Sequence, residues 1–154
     1  MSSQPAVAAE SRTTSASASA SGSRSALAKA IALAVVAAAV VNAIIAAVAR
    51  GPLDASSEFQ PLTAPVFLMW TVIGVVVGAL AWRLITRRSA RPASLLRWLV
   101  PTVVVASLIP DVLVLVADSM PGTSVTAVVA LMAMHLATAA VAVPTFQRFL
   151  PATD

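Results

Sequence analysis

Long uncharged runs alternate with short charged or proline-containing connections along this chain. Ala30 to Ala49 is a run of 20 residues without charge, Phe59 to Trp82 one of 24, and Ser119 to Gln147 one of 29. A further apolar stretch, from about Leu95 to Ala117, is interrupted by Pro101, Pro110 and one acid, Asp111. A helix rises ~1.5 Å per residue, so about 20 apolar residues cover the ~30 Å hydrocarbon core of a bilayer. The pattern predicts four membrane helices, over about residues 27–49, 65–85, 95–117 and 123–146. Because the connections are short, consecutive spans are expected as antiparallel neighbours. The expected fold is all-α, a compact antiparallel four-helix transmembrane bundle.

Residues 1–25 depart from this pattern. They are rich in Ser and Ala, with SASASASGS at 15–23 and no hydrophobic period. Such a segment predicts a disordered tail and leaves residues 26–150 as one membrane domain. Ala47-Val48-Ala49 resembles a signal-peptidase site. Signal peptides, however, have apolar regions of about 7 to 15 residues, and this run is longer. A retained first span is therefore expected over a cleaved one.

Composition agrees with the pattern. The chain of 154 residues is 59% hydrophobic and 10% charged, with mean hydropathy +0.93. A soluble domain carries about 25% charged residues, so this inventory is too poor to face water. The absence of Cys excludes disulfides and thiolate chemistry together. Arg outnumbers Lys nine to one and Ala and Val dominate, which suggests a GC-rich bacterial genome. A net charge of +4 would suit nucleic acid if the basic residues formed a domain of their own. Instead they lie at the ends of apolar runs. Arg83 to Arg97 holds five arginines and no acid. The tail, this middle loop and the C-terminal segment hold nine of the ten Lys and Arg residues, and the two remaining loops only Arg50. The positive-inside rule then predicts cytoplasmic N- and C-termini in a plasma membrane, and no nucleic-acid partner. Trp82 and Trp98 flank the basic loop, as interfacial anchors would.

Ionisable residues inside spans are functional candidates, since a charge at the bilayer centre costs roughly 2.5–3.5 kcal/mol even on insertion scales. Asp111 and His135 qualify. With the basic residues at span ends as rulers, Asp111 lies about 21 Å from Arg97 and His135 about 20 Å from Arg148. Asn42 lies about 20 Å from Lys29 and Thr71 about 18 Å from Arg83. Each span thus carries one polar side chain at nearly one level. Ser107 and Thr138 share helix faces with Asp111 and His135. A polar cluster of Asp111, His135, Asn42, Thr71 and Ser107 is the candidate site. Pro110 is expected to remove the bond to the Ala106 carbonyl and bend the helix just before Asp111.

Two functions fit that cluster. An Asp111–His135 hydrogen bond would pin two helices as a structural clasp, in a non-enzymatic component of the cell envelope. The same pair could exchange a proton in a small transporter or proton-coupled carrier. Haem ligation by His135 with Met132 or Met134 lacks a second obvious ligand, so no cofactor or metal is expected. No phosphate loop, carboxylate pair or nucleophilic triad is present, and no enzyme activity is expected. Gly74 and Gly78 form a GxxxG that permits close helix approach, within the bundle or to a homo-oligomeric or other membrane partner.

FQPLT at 59–63, the RR…RP pattern of the basic loop, SLIPD at 107–111 and LMAMH at 131–135 followed by Pro144 carry a resemblance. With them, residues 27–150 resemble an uncharacterised actinobacterial family of small four-helix integral membrane proteins, a domain of unknown function. The resemblance implies the same four-span fold and location, and brings no catalytic residue.

Overall fold

The computed structural model describes residues 5–154, with side chains from residue 22 onward. Its helices are α1 (Pro5–Arg50), α2 (Ala64–Arg88), α3 (Pro92–Ser107), α4 (Ile109–Ala117) and α5 (Val125–Phe149), with a short 3-10 turn at Gln60–Leu62 before α2. Among the described residues, four helical segments are long and apolar enough to cross a membrane: Gly22–Arg50, Ala64–Arg88, Pro92–Ala117 and Val125–Phe149. The expected disordered tail, residues 1–25, falls largely outside the residues whose side chains are described. Its last part, from Gly22, is continuous with the first span, so that helix begins earlier than residue 27.

The boundaries have local causes. Pro65 and Pro92 sit in the first turns of α2 and α3, where a missing N–H costs nothing. Arg87 and Arg88 lie in the last turn of α2, where cations suit the helix dipole. Ser124 caps α5, its side chain accepting from the Ala127 N–H at 3.1 Å. The third span is two helices joined at Leu108, which has φ −83° and ψ −15°. Pro110 falls in the first turn of α4, so the break satisfies its lack of an N–H by restarting the helix.

One face of α1 is nearly all alanine. Ala30, Ala34, Ala38 and Ala46 are buried, and Asn42 continues the same four-residue spacing. Side chains four apart share a helix face, and small ones let backbones approach closely. Against this face stand Ala127, Ala130 and Ala142 of α5 and Ala79 of α2, all buried. The core has two parts. One gathers Ala30, Ala34, Val75, Ala79, Trp82, Leu96, Ala142 and Phe146 at the end of the basic loop. The other gathers Ala46, Ala49, Phe67, Val128 and Met134 with Ala55, Phe59 and Leu62 at the opposite end. Phe59 and Leu62 are fully buried although they belong to the connection before α2. They plug that end of the bundle.

The third span packs least: 6% of its apolar window is buried, against 22–28% in the other spans. Trp98 on α3 is 72% exposed, as an interfacial anchor should be. Trp82 differs from that expectation. It is buried, its indole N–H donates to the Leu150 carbonyl at 2.8 Å, and its ring meets Phe146 at 5.9 Å. Gly78 faces Phe146 within the bundle, 3.6 Å from its ring, while Gly74 has open space around it.

At the basic end the Asp154 carboxylate closes the start of α3. It accepts from the Ala93 N–H at 2.8 Å, the Ser94 hydroxyl at 2.6 Å and the Ser94 N–H at 3.2 Å. The Ser94 hydrogen bond, with help from both backbone N–H groups and the Arg91 charge, holds this carboxyl below its ordinary value of 3.8. A depressed carboxylate contributes its stabilisation above the unfolded value and loses it as pH falls through the folded one. Protection of the Ala93 and Ser94 amides from hydrogen exchange should therefore be constant above about pH 5 and fall on acidification. Asp154→Asn should weaken that protection and flatten its pH dependence.

At the opposite end Gly122 has φ +71°, and a Cβ there would lie 2.7 Å from Ser56 Oγ and 2.9 Å from the Phe59 N. Gly122→Ala should cost about 1–3 kcal/mol in thermal unfolding of the detergent-solubilised protein. Gly74→Ala, in open helix, should be neutral or stabilising by up to about 1 kcal/mol.

Candidate functional site

Between the two apolar cores lies a thin polar stratum. Asn42 is 2% exposed, and its Nδ2 donates to Thr71 Oγ1 on α2 at 2.9 Å and to Thr138 Oγ1 on α5 at 3.0 Å. Thr71 in turn donates to the Phe67 carbonyl at 2.7 Å, one turn back on its own helix. One amide group thus ties three spans together. Its Oδ1 is buried without a hydrogen-bond partner among the described residues.

The third span enters the stratum through Asp111. The break at Leu108 places this acid in the first turn of α4, where the helix dipole favours a negative charge. It is 4% exposed, and its Oδ2 stands 3.1 Å from His135 Nδ1 on α5. The same nitrogen lies 3.0 Å from the Leu131 carbonyl. Nδ1 must carry its proton to bond a carbonyl, and that single N–H has two acceptors before it. It is directed at Leu131, so Oδ2 lies against the ring without an aligned hydrogen bond. The His135 side chain is 37% exposed, whereas the carboxylate is shut in.

The five candidate residues therefore separate. Asn42 meets Thr71, and Asp111 meets His135. Ser107 joins neither, because its hydroxyl donates to the Val104 carbonyl at 2.7 Å within α3. It is the last residue of that helix, and the break turns it back on its own turn. Thr138, in the sequence only a neighbour of His135 on the helix face, takes the remaining place. The signal for it is the three-residue spacing, which sets both on one side of α5. No group of three or more His, Cys, Asp or Glu side chains is positioned to hold a metal ion among the described residues. Among the described residues a groove indents each end of the bundle, and neither of these is lined by Asp111 or His135.

Residues 22–152 match a family of unknown function, DUF6069, and the chain belongs to that family. No curated protein and no solved structure matches it.

Truncating both members of the pair measures what it contributes. Aligned interhelical hydrogen bonds in membranes, which set the scale for a polar contact between two helices, are worth about 0.6 kcal/mol on average and up to about 1.7. A cycle of Asp111→Asn, His135→Gln and the double variant should give a coupling of about 0.5–1.5 kcal/mol in reversible unfolding from detergent micelles. A coupling near zero would mean that the 3.1 Å contact holds nothing together.

Proposed function

We infer that this member of the family is a multi-pass protein of the bacterial plasma membrane and a non-enzymatic component of the cell envelope. In this reading both termini are cytoplasmic, and the Asp111–His135 pair is a structural clasp. The observation that carries it is the position of the pair. The 3.1 Å contact joins α5 to the third span, the one with least buried surface, immediately after its break. A span with so little packing needs a polar fastening to keep its place in lipid, where apolar side chains gain nothing by leaving hydrocarbon for one another.

Lipid contact is supported by the surface. Val36, Val105 and Val116 are 64%, 66% and 77% exposed, on different helices, in a chain too poor in charge to cover such area from water. Orientation is supported by charge. Arg24, Lys29, Arg83, Arg87, Arg88, Arg91, Arg97 and Arg148 gather near one end, and Arg50 stands at the other with Asp54, Glu58 and Asp118. Cytoplasmic loops carry that excess of basic residues.

One observation favours the carrier as a second reading. Asn42 Oδ1 and Asp111 Oδ2 are both buried acceptors without an aligned donor. Buried polar groups of this kind are satisfied by water or by a passing proton or cation. Four spans make a small transport unit, so this version leans on assembly through the α2 face that bears Gly74.

The lack of cysteine makes the two readings separable. Single cysteines at Ser107, Thr138 and Ser56 are exposed in intact cells to a membrane-impermeant thiol reagent. The clasp predicts labelling of Ser56→Cys alone. Labelling of Ser107→Cys and Thr138→Cys as well would mean an aqueous cavity beside the pair, and the carrier would replace the clasp. An unlabelled Ser56→Cys in a protein that is present would overturn the orientation.

A further inference from the structure

At the basic end a groove of about 510 Å³ lies among α3, α5 and Trp82 of α2. Leu96, Val100 and Val143 supply apolar lining, and Arg97 of α3 and Gln147 of α5 supply polar lining. Pro151 and Ala152, in the segment after α5, complete the lining. Asp154, farther along that segment, fastens it to the start of α3. The volume lies within the range of ligand sites, which are mostly apolar with a few placed polar groups.

Charge decides what suits it. Among the described residues Arg97 makes no ion pair and no side-chain hydrogen bond, and Arg91 and Arg148 lie a few residues away in the same region. Among the residues with described side chains Asp154 is the acid of this end, and its oxygens are engaged by Ala93 and Ser94. An occupant must therefore combine a long apolar part, to lie against Leu96, Val100 and Val143, with an anionic group beside Arg97. Basic pockets between helices at the cytoplasmic surface suit the head groups of anionic lipids.

We propose that this groove holds an anionic phospholipid. One acyl chain lies along the α3–α5 cleft over Trp82, and the phosphate is held by Arg97 and the Gln147 amide. Arg97 supplies charge-assisted hydrogen bonds to the phosphate oxygens, and Gln147 a neutral donor opposite it. Trp82, whose own N–H is bound to Leu150, lines the groove beside the chain. The proposal rests on the chain's being embedded in a bilayer.

Trp82 reports on the groove directly. The full chain with Trp70→Phe and Trp98→Phe keeps Trp82 as its sole indole. It is placed in phosphatidylcholine vesicles containing equal fractions of brominated phosphatidylglycerol or brominated phosphatidylcholine. Bromine quenches at short range, so Trp82 should respond as if the anionic lipid were enriched roughly fivefold beside it. Arg97→Gln should abolish the preference and Arg97→Lys retain part of it. Arg88→Gln, a cation outside the groove, should leave it unchanged. Val143→Phe, which fills the cleft, should remove the preference while the far-UV spectrum stays helical. Equal quenching by both head groups, an effect of Arg88→Gln as large as that of Arg97→Gln, or a preference that survives Val143→Phe would each overturn the site. A companion variant with Trp70 alone, 62% exposed on α2, tests the bilayer itself. Equal quenching of Trp70 by both lipids beside a Trp82 without preference sinks only the lipid site. A Trp70 quenched by neither sinks the membrane reading with it.

Discussion

The close approach of α1 to its neighbours is the constraint on which the rest depends. Asparagine is a short side chain, yet Asn42 reaches hydroxyls on two other helices at 2.9 and 3.0 Å. That is possible only because the residues above and below it on the same face are alanines. Ala38 and Ala46 remove the bulk that would hold the backbones apart. The hydrogen bonds then set the vertical register of three spans, which alanines alone would leave free to slide. Packing brings the helices near, and the amide decides where along their length they stop.

The interior is accordingly layered, with apolar cores above and below and a polar stratum between them. Aromatic side chains close the ends: Trp82 and Phe146 at the basic one, Phe59 and Phe67 at the other. The third span stands apart from this scheme. It contributes few core residues and is held by polar contacts, at Asp111 in the stratum and at the start of α3 by Asp154. Its break at Leu108 is where these two manners of attachment meet, since the helix below it leans on the strap after α5 and the helix above it on His135.

The four spans are legible in the sequence because length and apolarity are sufficient to specify a membrane helix, and the rise per residue is fixed. For the same reason the sequence alone sets Asn42, Thr71, Asp111 and His135 at one level. Their pairing is not legible, because it depends on the rotation of each helix about its axis, which a depth ruler does not measure. Ser107 shows the difficulty: the face expected of it assumes a continuous helix, and the helix stops at that residue. The place of Trp82 in the sequence suits an interfacial anchor, but anchors and end-plugs occupy the same depth and differ only in direction. Phe59 and Leu62 carry a weak signal, two bulky apolar residues in a connection where polar ones suffice. Asp154 carries none, since an acid in a polar segment has no pattern that marks it as a helix cap.

Both fastenings of the third span come from residues that follow it in the chain. During synthesis, Asp111 is made 24 residues before His135 and 43 before Asp154. For that interval the span carries an uncompensated carboxyl group and has little surface with which to grip the two helices already in place. A chain interrupted after Ala117 would therefore lack both polar fastenings of its third helix.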